Sequence, residues 1–326
     1  MDRLEERPLV SCHIITYNQK DYISKCIEGA LMQETSFPYE IVIGDDCSTD
    51  GTREILINYA KNYPEKIRLN LREKRGKGIP GQENFHSTLS LCKGKYVALC
   101  DGDDYWYDKN KIQLQADYLE THSDCVITSH NARVINEKDE FISESLLDEN
   151  NKRSFESNEL VRGPWIPSLT RMFRNNLVVF TEDLKQCLNG DLIFTCLLGT
   201  FGRSHYIPDI KNVAYRIQSK GVWSSESETR QFIALYFTLI TLQKHFIYDR
   251  DLRDHFRLRS KQSFQDFFSR NKTNFTILKV ITFQKELFVK STSLSTLGIC
   301  LKLSTNIIFP RIFQYPYFKL RSIFIK

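Results

Sequence analysis

The 326-residue chain is short of several features, and each shortage narrows its reading. Nine cysteines, at positions 12, 26, 47, 92, 100, 125, 187, 196 and 300, include no CxxC pair and sit singly in apolar runs. They read as reduced core residues of a cytosolic protein rather than as a disulfide or zinc framework. Fourteen glycines and nine prolines are too few for a collagen-like or low-complexity chain. Gly76-Lys77-Gly78 lacks the rest of a P-loop, and His86, His122, His130 and His205 have no HxxxH spacing. Met1 to Pro8 carries charges of both signs and no apolar stretch, so no secretion signal is expected. The most apolar late segment, Leu294 to Phe313, is broken by Lys302, Pro310 and Arg311 and suits lying against a bilayer better than crossing it.

What is present is an ordinary globular composition, 41% hydrophobic and 26% charged. At roughly 100 to 200 residues per domain, the length allows two compact units or one large α/β unit with an appendage. Charge is uneven. Residues 1–225 hold 28 Lys and Arg against 33 Asp and Glu, whereas residues 226–326 hold 17 against 7. The basic end, with Lys244, Arg250, Arg253, Arg257, Arg259, Lys261, Arg270 and Lys272, has two readings. It suits an anionic membrane surface ahead of nucleic acid, or it is a helical region that packs on the body and forms a homodimer.

Apolar runs alternate with helical periodicity along the first half. Strands are expected at Leu9 to Ile15, Tyr39 to Gly44, Ile67 to Leu71, Lys95 to Cys100 and Cys125 to Ile135. Helices are expected at Tyr22 to Met32, from Asp50-Gly51-Thr52 to about Tyr63, at Gln82 to Cys92 and at 109–121. Strands near Thr170 to Phe173 and Val213 to Ile217 would extend the same sheet, and the pattern turns helical from Ser225. This alternation means α/β: a Rossmann-like, mostly parallel sheet flanked by helices, with a C-terminal helical extension. Ligands of such sheets sit beyond the carboxyl ends of the strands. Three strand ends carry polar clusters: Thr16-Tyr17-Asn18, Asp45-Asp46 and Asp101 to Asp104.

Asp101-Gly102-Asp103-Asp104 can direct carboxylate oxygens to one hard divalent cation such as Mg²⁺ or Mn²⁺, which would neutralise a diphosphate. It can equally be an acidic turn. Asp45-Asp46-Cys47-Ser48-Thr49-Asp50-Gly51-Thr52 offers either a carboxylate for a base N–H or only a helix cap. Asp191, ahead of an apolar helical run, reads alone as an N-terminal cap.

In order, VSCHIITYN (Val10 to Asn18), IVIGDDCSTDGT (Ile41 to Thr52), Asn84 and GKYVALCDGDD (Gly94 to Asp104) resemble the nucleotide-binding half of family 2 glycosyltransferases with the GT-A fold. The likeness continues more loosely through Arg171 to Asn175, Gly190-Asp191 and Tyr215-Arg216 to Trp223-Ser224, similar to the acceptor half of bacterial polysaccharide-type members. It implies a catalytic domain over 1–224, with a nucleotide-binding half (1–135) and an acceptor half (136–224), followed by a basic helical region over 225–326. It also implies that Thr16, Tyr17 and Asn18 border the nucleobase, that Asp46 pairs with a uracil N–H, and that Asn84 belongs with the nucleotide contacts. Asp101 would face the ribose and phosphates, Asp103 would hold the metal, and Asp191 would be the general base.

Two positions depart from the family. Gln218 stands where a histidine is frequent, and Glu83 where an arginine is frequent. Arg72, Lys74, Arg75 and Lys77 either supply the missing positive charge or are solvated loop residues. Tyr105, Trp106 and Tyr107 read as packing, and Trp165 and Trp223 as sugar-stacking surfaces. The expected function is inverting, Mn²⁺- or Mg²⁺-dependent transfer of a sugar from a nucleotide-sugar donor, UDP-linked, to a glycan or lipid-linked acceptor in surface polysaccharide synthesis. The expected location is cytoplasmic, at the inner face of the membrane, with no nucleic-acid partner. The alternative is a noncatalytic sugar-nucleotide or glycan-binding protein that keeps the fold, with Gln218 as its support.

Overall fold

The computed structural model describes residues 7–76, 79–210, 213–218 and 227–270, with side chains through Phe267. The strands are β1 (Val10–Thr16), β2 (Tyr39–Asp45), β3 (Ile67–Leu71), β4 (Tyr96–Asp101), β5 (Tyr105–Trp106), β6 (Cys125–Ser129), β7 (Arg133–Ile135), β8 (Phe141–Ser143), β9 (Met172–Arg174), β10 (Arg203–Tyr206) and β11 (Val213–Arg216). The helices are α1 (Ile23–Leu31), α2 (Thr52–Asn62), α3 (Gln82–Leu89), α4 (Lys111–Thr121), α5 (Ser157–Leu160), α6 (Glu182–Lys185), α7 (Gly190–Gly199), α8 (Glu228–His245) and α9 (Arg250–Arg270).

Seven strands form the main sheet in the order β10-β6-β9-β4-β1-β2-β3, and only β9 runs antiparallel to its neighbours. β1, β2 and β4 are buried on both faces, which is why they read as largely apolar runs, and the polar side chains Ser11, His13 and Glu40 are buried with them. Helices cover both sides. Ile23, Cys26, Ile27 and Ile112 pack with Ile14 and Ile41 in one core, while Phe173, Phe194 and Leu198 pack with Val97 and Leu99 in another.

The stretch expected as one strand over Cys125 to Ile135 is two strands in different sheets, β6 in the main sheet and β7 in a second sheet ordered β5-β11-β7-β8. Val213 to Arg216 likewise does not extend the main sheet. It pairs antiparallel with β5, the two residues that follow the aspartate cluster, and parallel with β7. α3 is shorter than expected, ending at Leu89.

The chain divides into two compact units after Ser260. In the first, α8 and the start of α9 pack on α7 through Leu239, Leu242, Phe246 and Phe256 against Ile193, Cys196 and Leu197. The helical pattern from Ser225 is thus partly core of the first unit. Of the second unit, the structure describes only the helical stretch 261–270. Among the described residues, no helix is long and apolar enough to cross a membrane. Trp223, Lys272 and the segment from Leu294 to Phe313 lie outside the described residues.

Candidate active site

Strand register brings the polar ends together. Thr16 pairs with Asp45 across β1 and β2, and Ile15 pairs with Asp101 across β1 and β4, so three strand ends finish flush within about 10 Å, two inter-strand spacings. The turn after β4 then folds onto the β1 loop. Gly102 N–H donates to the Ile15 carbonyl at 2.9 Å, and a Cβ on Gly102 would lie 2.6 Å from Gln19 Oε1 and 2.8 Å from Thr16 Cβ. Only glycine lets the two loops close this far.

Beside them is the loop expected to border a nucleobase. Asn18 adopts a left-handed backbone (φ 51°); its N–H donates to Ser48 Oγ at 2.9 Å, and its Oδ1 accepts from Thr49 N–H at 2.9 Å. Asp46 is buried; its Oδ1 accepts from Gly76 N–H and lies 3.1 Å from Arg72 Nε. Arg72 also reaches Glu83, and the Arg75 guanidinium stacks over Tyr17 at 3.9 Å. Of the basic loop, Arg72 and Arg75 therefore face the Thr16, Tyr17, Asn18 and Asp46 cluster. Asn84 is elsewhere. It is 1% exposed, and its Nδ2 donates to the Gly44 carbonyl at 2.9 Å, fastening α3 to β2.

The aspartates after β4 are short of countercharge. Burial pushes Asp101 up to about 7, with the charges of Asp103 and Asp191 adding to the rise and Arg171 opposing it. Asp103 is raised by burial against the pull of Arg216, Gln218 and Gln19. Asp104 is raised well above the usual range by burial and by both neighbouring aspartates. Arg216, 3% exposed on β11, ties the turn down: its N–H donates to Asp104 Oδ1 at 2.8 Å and its Nε to the Asp103 carbonyl at 2.9 Å. Gln218 Nε2 donates to Asp103 Oδ2 at 2.5 Å.

A carboxylate set whose ionisation is opposed first by burial and then by mutual repulsion is a fit for a divalent cation, which would favour the charged forms. Among the described residues no group of three His, Cys, Asp or Glu is arranged to hold an ion. An ion here would take Asp103 and complete its shell with phosphate and water oxygens, the habit of Mg²⁺.

Asp191 approaches from the later part of the sequence, beyond residue 135. It is the second residue of α7, whose N-cap is Asn189, so it is not the cap that the sequence alone suggests. Its carboxylate is 60% exposed; Oδ2 accepts from Ser168 Oγ at 2.9 Å, and Oδ1 lies 3.2 Å from Arg171 Nη1. Arg171 itself is 1% exposed, and its Nε donates to the Ile166 carbonyl at 2.9 Å. Its charge acts on both Asp191 and Asp101, so the two carboxylates share one cation. Gln19, Ser168, Arg171 and Arg216 were not singled out as site residues by the sequence, although Arg171 and Arg216 fall in the more loosely similar segments. Trp106 and Tyr105 are buried as packing, and Trp165 is 51% exposed.

The chain is 43% identical over 123 residues to an uncharacterized protein of Mycobacterium tuberculosis, covering 38% of this chain and 35% of that one. It is 42% identical over 113 residues to the UDP-Glc:alpha-D-GlcNAc-diphosphoundecaprenol beta-1,3-glucosyltransferase WfaP of Escherichia coli, covering 35% and 42% of the two chains. The matches thus span well under half of these curated relatives. Among solved structures, residues 1–349 of TarS from S. aureus superpose with a TM-score of 0.61 at 18% identity, over 85% of this chain and 78% of that one. The same TarS fragment has been solved with UDP-GlcNAc. This likeness establishes the GT-A fold. The profile of Glycosyl transferase family 2 matches residues 11–178, just over half of the sequence, and the chain belongs to that family.

Proposed function

We propose that the protein is an inverting, metal-dependent glycosyltransferase that moves a sugar from a UDP-linked donor to a glycan or lipid-linked acceptor in surface polysaccharide synthesis. The observation that carries this reading is the convergence of Asp191 and Asp101 on one buried arginine, Arg171, with Asp103 two residues beyond Asp101, at the edge where β1 ends at Thr16 and β2 at Asp45. WfaP is named for a UDP-Glc donor and a diphosphoundecaprenol acceptor, and TarS has been solved with UDP-GlcNAc. Both support a uridine donor, and the diphosphoundecaprenol acceptor in the WfaP name supports a lipid-linked one.

In this reading Asp46 accepts the uracil N–H, with Tyr17 and Asn18 flanking the base, and Asp101 faces the ribose and phosphates. Asp103 would hold Mn²⁺ or Mg²⁺, and the ion would supply positive charge for the departing diphosphate. Asp191 takes the proton of the acceptor hydroxyl as its oxygen attacks the anomeric carbon. The C–O bond to the diphosphate breaks on the opposite face, and one displacement inverts the centre. Asp191 is suited to that step by its exposure at the start of α7 while both its oxygens are held in fixed orientation. Trp165, exposed three residues before Ser168, offers a face for an acceptor sugar ring.

Donor hydrolysis, which needs no acceptor, tests the proposal. A panel of nucleotide sugars with and without Mn²⁺ is expected to show metal-dependent hydrolysis of a UDP-sugar, lost in Asp103→Ala. Binding of a nucleotide sugar with no hydrolysis of any, and no transfer, would instead favour the noncatalytic binding protein.

A further inference from the structure

Arg171 is an unusual residue for the core: a guanidinium 1% exposed whose ion pair is with a carboxylate, that of Asp191, which is 60% exposed. Its fork is spent in two directions. Nε and Nη2 both donate to the Ile166 carbonyl, and Nη1 turns outward to Asp191, 3.2 Å from Oδ1 and 3.4 Å from the backbone carbonyl. The Arg171 carbonyl accepts from Leu99 N–H at 3.1 Å, which anchors the residue to β4, the strand that ends in Asp101. Ser168 leaves the same short 3₁₀ turn, Ser168–Thr170, and holds the other carboxylate oxygen at 2.9 Å. Thr170 Oγ1 closes that turn on the Pro167 carbonyl at 2.8 Å.

We propose that Arg171 and Ser168 are positioning residues for the reaction: a rigid clamp, built on β4, that sets the direction of the Asp191 carboxylate and its distance from the donor-side aspartate. This rests on the reading of Asp191 as the base. An exposed aspartate on a helix end would otherwise rotate about two side-chain torsions, and only a fraction of its orientations could meet an acceptor hydroxyl in line with the anomeric carbon. A carboxylate has about four lone-pair sites; the clamp takes one from each oxygen and leaves the others open to the cleft. The planar fork matters as much as the charge, because one face of the guanidinium is fixed by Ile166 while the remaining nitrogen points at Asp191. Asp101 gains from the same cation, whose charge offsets part of its repulsion from Asp191. Donor-side and acceptor-side carboxylates are thereby set relative to one another through a single side chain.

A double-mutant cycle on the full chain tests the clamp with transfer, donor hydrolysis and donor KM as readouts. Ser168→Ala and Arg171→Lys are each expected to lower kcat for transfer about 10-fold or more while donor KM changes less than twofold. In an Asp191→Asn background neither should lower kcat further, because both act through that carboxylate. Equal losses in both backgrounds, or no loss in the wild-type background, would overturn the clamp. Should Arg171→Lys fail to fold, the Ser168→Ala cycle carries the decision alone, since that side chain is partly exposed and its removal leaves no buried charge. Wild-type transfer by Asp191→Asn is a different outcome: it removes the base assignment itself.

Discussion

Three aspartates within four positions, Asp101, Asp103 and Asp104, all ionise less readily than free carboxyls in the metal-free protein. For Asp101 the folded value is about 7 against an ordinary 3.8, so its contribution to stability is full below 3.8 and is lost as pH rises through 7. The metal-free protein is therefore expected to melt at a lower temperature at pH 8 than at pH 6. Mn²⁺ should raise the melting temperature more at pH 8 than at pH 5, where protons already occupy the site. Thermal melts across that range check this; a cation effect independent of pH would count against Asp101 and Asp103 as the binding group. Asp46→Ala should weaken UDP affinity by about 1–3 kcal/mol, the usual loss of a hydrogen bond to a charged group, as read by titration calorimetry. Asp191→Asn should keep donor affinity and lower transfer about 10² to 10⁴-fold. Gln218→His should lower the Mn²⁺ concentration for half-maximal hydrolysis, because an imidazole nitrogen beside Asp103 Oδ2 adds a ligand where the amide supplies only a hydrogen bond.

At the scale of elements, Asn84 fastens α3 to β2 rather than entering the cleft. Gly44 sits under that contact, where a Cβ would lie 2.0 Å from Thr88 Oγ1 and 2.4 Å from Asn84 Oδ1. Gly44→Ala is expected to destabilise the fold by about 1–3 kcal/mol through overpacking, and Asn84→Ala by a similar amount through loss of its buried amide bond to the Gly44 carbonyl. Denaturant unfolding measures both, and UDP affinity of the folded Asn84→Ala protein should stay near wild type. β1, β2 and β4 were legible because parallel strands buried on both faces leave largely apolar runs, and β3 because Ile67, Leu69 and Leu71 alternate with Arg68 and Asn70. The placement of Asp46, Asp101 and Asp103 at neighbouring strand ends was legible for the same reason. β9 joins the main sheet as expected, whereas β11 was visible as a strand but not in its place, since its antiparallel partner lies about 110 residues away in sequence and short strands carry little register information. Arg171 gave no signal of its own, because its role depends on Ile166 and Asp191 meeting in space.

At the scale of the whole molecule, charge and packing divide the C-terminal region. Leu239, Leu242, Phe246 and Phe256 belong to the core around α7, so a chain ending at Ser225 should lose that core and aggregate on expression. Residues 271–326 carry nine Lys and Arg against one Glu. Each basic residue close to anionic lipid contributes about 1 kcal/mol. The full chain is therefore expected to sediment with anionic vesicles at low salt and to release at high salt, whereas a chain ending at Arg270 should remain in the supernatant. Equal sedimentation of the two chains, or none by either, would remove the membrane assignment and leave the catalytic one intact.

The second sheet sets an order of events during synthesis. β5 emerges from the ribosome directly after Asp103 and Asp104, but its pairing partner β11, with Arg216, follows more than 100 residues later. β9, which fills the gap between β4 and β6, also arrives late. The nascent N-terminal stretch thus holds an incomplete sheet and an untethered acidic turn until residue 216 has left the exit tunnel. The halves expected at 1–135 and 136–224 therefore do not fold apart: a fragment ending at residue 135 lacks β9, β11 and Arg216, which complete both sheets and tie down the turn after Asp101.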